Sequence, residues 1–225
     1  MFNQKDLIYH RGRHGLVELS GNFVPVQENS LLAFRTAIDE GATMIECDAR
    51  INLQETCYNP IIAHDSTDDT AVPTLINALD MIHARCSINV EIKDPSIWQG
   101  VTALLDWYIT YDGWKAEQFV ISAFHHPTVV QIKKHCPHFT VGAIMDGIPL
   151  LPYVTMLKKF GIDNLHLEYM NADMDMQNGS ALMRQAKKLG MRVWVWTVND
   201  LATAQRVQDW GAERIFTDKP QLFPR

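Results

Sequence analysis

From Ala49 to Asn59 the chain reads ARINLQETCYN, and the fold turns on whether those residues contain a helix. Strand-like segments flank them, TMIECD at 43–48 and PIIAH at 60–64. Nothing between repeats apolar residues at the i, i+3, i+4 spacing of an amphipathic helix. Parallel neighbours need a crossover of about a dozen residues or more, usually helical, whereas a short polar connection suits a hairpin. Segment 60–64 is therefore expected to fold back beside 43–48, outside the regular alternation.

Everywhere else that alternation holds. The other strand candidates are 6–9, 87–92, 118–122, 140–145, 163–167, 191–197 and 213–217. Helix candidates lie between them at 29–40, 74–84, 98–109, 127–135, 151–159, 178–189 and 200–209. Gly41, Gly161, Gly190 and Gly211 each stand just past a helix candidate, where a left-handed cap is needed. Setting 60–64 aside leaves eight strands. The pattern predicts one domain over residues 1–225, a TIM (β/α)8 barrel with a small hairpin excursion after the second strand. An open doubly wound sheet is the competing architecture, but no glycine-rich dinucleotide turn supports it.

The chain has 225 residues, 47% of them hydrophobic, enough for a full core. A net charge of −6 argues against nucleic acid or an anionic membrane surface as the main partner. The first residues, MFNQKDLIYHRG, hold no signal-peptide core, and runs such as Val193 to Trp196 are too short to span a bilayer. Cys47, Cys57, Cys86 and Cys136 lack CxxC spacing. They read as reduced thiols in a cytoplasmic protein, without a zinc site and without stable membrane insertion. The oligomeric state is left open.

In such a barrel the chemistry collects at the carboxyl ends of the strands. Those ends carry His10-Arg11-Gly12, Glu46-Cys47-Asp48, His64-Asp65, Glu91-Ile92-Lys93, Ser122, Glu168, Trp196-Thr197 with Asn199, and Thr217-Asp218. Glu46 and Asp48 are two apart, so both face the same way, about 6–7 Å apart along the strand. With Glu91 they offer three hard oxygen donors, a set suited to Mg²⁺ or Ca²⁺. The plain alternative is that the carboxylates pair with Arg11 or Lys93. His10 and His64 titrate near neutrality and suit proton transfer, and Arg11 and Lys93 suit phosphate oxygens. His14, His83, His125, His126, His135, His138 and His166 read as hydrogen-bonded structural residues. A cation, two histidines, an arginine and a lysine describe a phosphoryl-transfer site better than a redox or acyl-transfer one.

In this order the residues resemble the glycerophosphodiester phosphodiesterase family, in its compact cytoplasmic form. The motifs are His10-Arg11-Gly12, Glu28-Asn29-Ser30, Glu46-Cys47-Asp48, His64-Asp65, Glu91-Ile92-Lys93 and Trp196-Thr197-Val198-Asn199, closed by Phe216 to Pro220. The resemblance spans essentially the whole chain. It implies a divalent cation on Glu46, Asp48 and Glu91, and His10 with His64 as the acid–base pair. It also implies Arg11 and Lys93 on the phosphate, and release of glycerol 3-phosphate and an alcohol from a small phosphodiester. Trp196 would pack against the glycerol carbons or belong to the core. The segment from Arg13 to Gln27 is longer than the family's usual loop, Gln27 replaces the usual proline, and the 49–59 hairpin lacks an Asp-Gly turn. Both altered loops bear on the leaving alcohol. The competing readings are a lysophospholipase D-type enzyme, a cyclic-phosphate-forming enzyme on the same barrel, or a non-catalytic phosphodiester-binding protein.

Overall fold

The computed structural model describes residues 2–52, 59–67, 69, 71–170 and 179–224. The tip of the 49–59 excursion, with Cys57, lies outside the described residues.

Eight parallel strands close into a barrel. They are β1 (Leu7–Tyr9), β4 (Met44–Arg50), β6 (Ser87–Ile92), β7 (Phe119–Ala123), β8 (Thr140–Met145), β9 (Asn164–Glu168), β10 (Arg192–Trp196) and β11 (Arg214–Thr217). The ladder runs β1-β11-β10-β9-β8-β7-β6-β4, and β4 pairs back to β1 through Tyr9 and Ile45. That pairing excludes the open sheet. The eight-strand count rests on β5 (Ile61–Ile62), which runs antiparallel to the end of β4, with Ala49 opposite Ile62.

Helices α1 (Leu31–Asp39), α2 (Leu75–Ile82), α3 (Trp98–Tyr111), α4 (His126–His135), α5 (Leu151–Lys159), α6 (Gly179–Lys188) and α7 (Leu201–Trp210) lie between barrel strands. Their starts are fixed locally. Ser30 accepts the Ala33 amide at 3.1 Å, Thr74 the Asn77 amide at 3.2 Å, and Asp200 the Thr203 amide at 2.8 Å. Each cap satisfies a donor that the first turn of a helix leaves without a partner. Gly41, Gly161, Gly190 and Gly211 all take positive φ, as their places past helix ends require.

Strand residues alternate between two apolar compartments. Ile45, Cys47, Ala49, Ile88, Val90 and Ile121 pack outward beneath the helices. Ile8, Met44, Val120, Trp194 and Phe216 form a separate cluster inside the barrel, with Trp196 against it. This inner plug blocks the axis and makes the carboxyl end a floored cup.

The segment Arg13 to Gln27, expected only as an enlarged loop, contains secondary structure of its own. It forms a hairpin, β2 (Gly15–Leu19) and β3 (Asn22–Val26), closed by Ser20 at φ 51° and Gly21 at φ 80°. Two positive-φ residues make the turn whose twist matches antiparallel strands. Val17 and Val26 bury against Ala33 of α1, which fixes the hairpin beside the cup.

Candidate active site

The strand ends converge as the motifs required. The first strand stops at His10 because the chain must leave the barrel at once. Arg11 has φ 56° and Gly12 φ 83°, and a Cβ on Gly12 would stand 2.9 Å from Ala33. This turn aims the Arg11 amide back into the barrel, where it donates to Glu46 Oε2 at 2.9 Å.

Carboxylate oxygens of Glu46, Asp48 and Glu91 lie within 4.8 Å of one another. Glu46 is 2% exposed and Asp48 1%. The ion-pairing alternative is what the geometry shows for Asp48. Asp48 is ion-paired to Arg11 Nε at 3.1 Å and to Lys93 Nζ at 3.4 Å, and it accepts from Asn29 Nδ2 at 2.8 Å. Burial would raise the Asp48 pKa, but Arg11 and then Lys93 outweigh it and hold that carboxyl below its ordinary range. Glu46 is different. Burial, then the charges of Asp48 and Glu91, push its carboxyl well above the usual range. Its Oε1 is buried with no hydrogen-bond partner among the described residues. Burial and the Asp48 charge raise Glu91 as well, although Lys93 donates to its Oε1 at 2.8 Å. Two buried carboxylates and a partly buried third, with one unpartnered oxygen, suit a hard divalent cation, which would relieve the repulsion that raises Glu46 and Glu91.

His10 is held from behind by a residue outside the expected set. Asp218 Oδ1 lies 2.7 Å from His10 Nδ1 and 3.2 Å from His14 Nε2, while Asn199 Nδ2 donates to Asp218 Oδ2 at 2.8 Å. Burial would raise the Asp218 pKa, but the hydrogen bonds of His10 and His14 reverse this and hold it far below the carboxylate range. The other His10 nitrogen, Nε2, is 4.0 Å from Glu46 Oε2. Asp218 was visible in the sequence only as the end of the last strand. Its partnership with His10 joins the two ends of the chain, and no local pattern signals it.

A cavity of about 120 Å³ opens among these groups, lined by His10, Arg11, Glu46, His64, Glu91 and Lys93. Phe124 and Trp196 meet edge to face at 5.7 Å on its apolar side, and Lys93 Nζ lies 5.7 Å from the Phe124 ring centre. Trp196 donates its indole N–H to the His166 carbonyl at 3.0 Å. A second hollow of about 330 Å³ adjoins, lined by Glu28, Asp65, Asp69 and Pro73 among others. His64 borders both and is 39% exposed, with Nδ1 3.1 Å from Asp65 Oδ1. Glu28 ties this rim to the cup by accepting from Arg11 at 2.7 Å. Arg11 thus spends its fork on Asp48, the pairing that the sequence offered as the plain alternative, and on Glu28, which the sequence did not suggest as a partner. The expected site residues all line the cup or bond to its walls. Expectation failed for His166, read as hydrogen-bonded, because neither ring nitrogen has a partner among the described residues.

The model of the glycerophosphoryl diester phosphodiesterase family matches residues 10–67 and 58–222. The chain belongs to that family. A glycerophosphodiester phosphodiesterase of Caldanaerobacter subterraneus subsp. tengcongensis is 24% identical over 237 residues, covering 90% of this chain and 93% of the relative. Among solved structures, a glycerophosphodiester phosphodiesterase of Thermotoga maritima superposes with a TM-score of 0.75 at 20% identity, covering 99% and 98% of the two chains. An Oleispira antarctica phosphodiesterase, solved with the product sn-glycerol-3-phosphate, gives 0.75 at 21% identity over 97% of this chain and 94% of the other. This member of the glycerophosphoryl diester phosphodiesterase family therefore shares the family's TIM barrel along nearly its whole length. Among its described residues, no helix is long and apolar enough to cross a membrane.

Proposed function

We propose that this enzyme hydrolyses glycerophosphodiesters to glycerol 3-phosphate and an alcohol, with a divalent cation, Mg²⁺ or Ca²⁺, held by Glu46, Asp48 and Glu91. The observation that carries the reading is the three-carboxylate cluster, its oxygens within 4.8 Å, with Glu46 and Glu91 opening on the cavity that His10, Arg11 and Lys93 also line. When bound, the cation polarises phosphoryl oxygens and offsets their charge.

The chain's own residues supply the rest. Asp218 fixes the His10 ring through Nδ1, which leaves Nε2 to exchange a proton on the carboxylate side. His64, between the two hollows, is placed to serve the alcohol that leaves toward the larger one. Lys93 and Arg11 give positive potential at the phosphate, and Phe124 with Trp196 offers an apolar wall to the glycerol carbons. One histidine deprotonates the attacking hydroxyl while the other protonates the leaving oxygen. With the glycerol 2-hydroxyl as attacker, a cyclic phosphodiester forms and water then opens it. The reading as a non-catalytic binder loses ground because both histidines and all three carboxylates are in place.

A panel of glycerophosphodiesters, assayed with Mg²⁺, Ca²⁺ or chelator and read by glycerol 3-phosphate, tests the reading. Cation-dependent release is expected, and His10→Ala is expected to abolish it. Full activity in His10→Ala would overturn the assignment. The exposed side chains Phe23, Ile148 and Leu150 favour lysophosphatidylcholine as a second substrate to set beside glycerophosphocholine. Cyclic phosphate as the end product would identify the other variant of the chemistry.

A further inference from the structure

Below the carboxylates the cup has a polar floor that phosphoryl transfer leaves unused. Asn89 precedes Glu91 by two residues on the inward face of β6, roughly 6–7 Å deeper along the strand. Its Nδ2 donates to Ser122 Oγ at 3.0 Å, while its Oδ1 is buried without a hydrogen-bond partner among the described residues. His166 of β9 is fully buried and stacks on Trp194, ring centres 4.8 Å apart. Both of its ring nitrogens are buried without a partner among the described residues. Gly142 of β8 makes room for that ring, since a Cβ there would stand 2.6 Å from His166 Nε2. Asn89 and His166 line the same cavity as Glu46 and Glu91.

Unpartnered buried polar atoms are rare and costly, and a cluster of them inside one cavity points to a missing polar ligand atom. Desolvation and then Arg192 lower the His166 pKa to about 3, so the ring is neutral. A neutral imidazole has one N–H donor and one acceptor nitrogen, and the Asn89 oxygen only accepts. Together they complement a hydroxyl group, which receives one hydrogen bond on oxygen and gives another.

We propose that Asn89 and His166 are specificity-determining residues that hydrogen-bond the glycerol hydroxyl farthest from phosphorus. This rests on the glycerophosphodiester reading above. The phosphate belongs at the rim with Arg11 and Lys93, and the glycerol runs inward past Phe124 and Trp196. The 2-hydroxyl stays at the level of the carboxylates, so only the terminal hydroxyl reaches the floor. A substrate lacking it would leave Asn89 and His166 desolvated and unpaired.

The test compares kcat/KM for glycerophosphocholine and for the analogue whose terminal CH₂OH is CH₃, using the cation-loaded enzyme. The wild type is expected to prefer the hydroxylated substrate by about 100-fold or more, as sites built to pair a hydroxyl do. His166→Phe and Asn89→Leu are each expected to shrink that preference at least about tenfold, and His166→Gln, which keeps a donor and an acceptor, to retain part of it. Wild-type turnover of both substrates with equal efficiency would overturn this proposal alone. So would variants that slow both substrates alike with the preference intact, because the floor would then hold a structural water. Should His166→Phe not fold, the wild-type ratio and Asn89→Leu decide. A wild type inactive on every glycerophosphodiester would remove the underlying reading and this proposal with it.

Discussion

At the scale of single residues, Asp218 decides what His10 can do. It takes hydrogen bonds from His10, His14 and Asn199, so its charge fixes the ring's tautomer and orientation. Asp218→Asn is expected to lower kcat by about 10²–10⁴-fold, because an amide permits the wrong tautomer. Cation affinity, measured by calorimetry, should be unchanged. His166 makes a second prediction. Its folded pKa is lowered from 6.5 to about 3, chiefly by burial, so the unfolded chain binds the extra proton as pH falls. The stability this neutral ring contributes is complete above about pH 6.5 and is lost on acidification, by about 1.4 kcal/mol per pH unit until the folded pKa is reached. Between pH 6.5 and 5 the wild type should lose roughly 2 kcal/mol more than His166→Phe in urea titrations. Equal losses would contradict the assignment of a neutral buried ring.

At the scale of elements, the turn leaving β1 couples backbone geometry to the site. Gly12 combines φ 83° with an ideal Cβ position 2.9 Å from the backbone of Ala33. Gly12→Ala must move either α1 or the Arg11 amide that binds Glu46. The expected cost is about 1–3 kcal/mol by chemical denaturation, with a parallel loss of cation affinity. The hairpin β2–β3 shows how far an element can be read from residues alone. Its Ser20-Gly21 turn was present in the sequence, but the segment's length against the family pattern suggested only an enlarged loop. What commits it to a hairpin is burial of Val17 and Val26 on Ala33, a contact between separate elements.

At the scale of the whole molecule, closing the barrel brings together charges that sequence distance keeps apart. Glu46, Asp48 and Glu91 are costly neighbours, and the fold carries that cost through Arg11, Lys93 and Asn29. A cation that binds only the folded state adds about 2.7 kcal/mol at a hundred times its Kd. For a chain of this size that amounts to a rise in Tm of about 5–10 °C. Thermal melts with Mg²⁺ or Ca²⁺ should show the rise, chelator should reverse it, and Glu46→Gln should abolish most of it. A chelator-insensitive melt would argue that Arg11 and Lys93 alone balance the cluster.

The sequence by itself determined the barrel and the rim of the site. Strand–helix alternation sets the order of layers, the helix-free stretch 49–59 removes one strand from the count, and E-x-D and E-x-K place charges inward because side chains alternate along a strand. Only the tertiary structure decided what those residues touch. The bonds from Asp218 to His10, Asn29 to Asp48 and Glu28 to Arg11 cross between elements. The pocket for His166 exists only because Gly142 on the neighbouring strand has no side chain. Periodicity reports which face a residue occupies, whereas a partner depends on the closed packing of every strand at once.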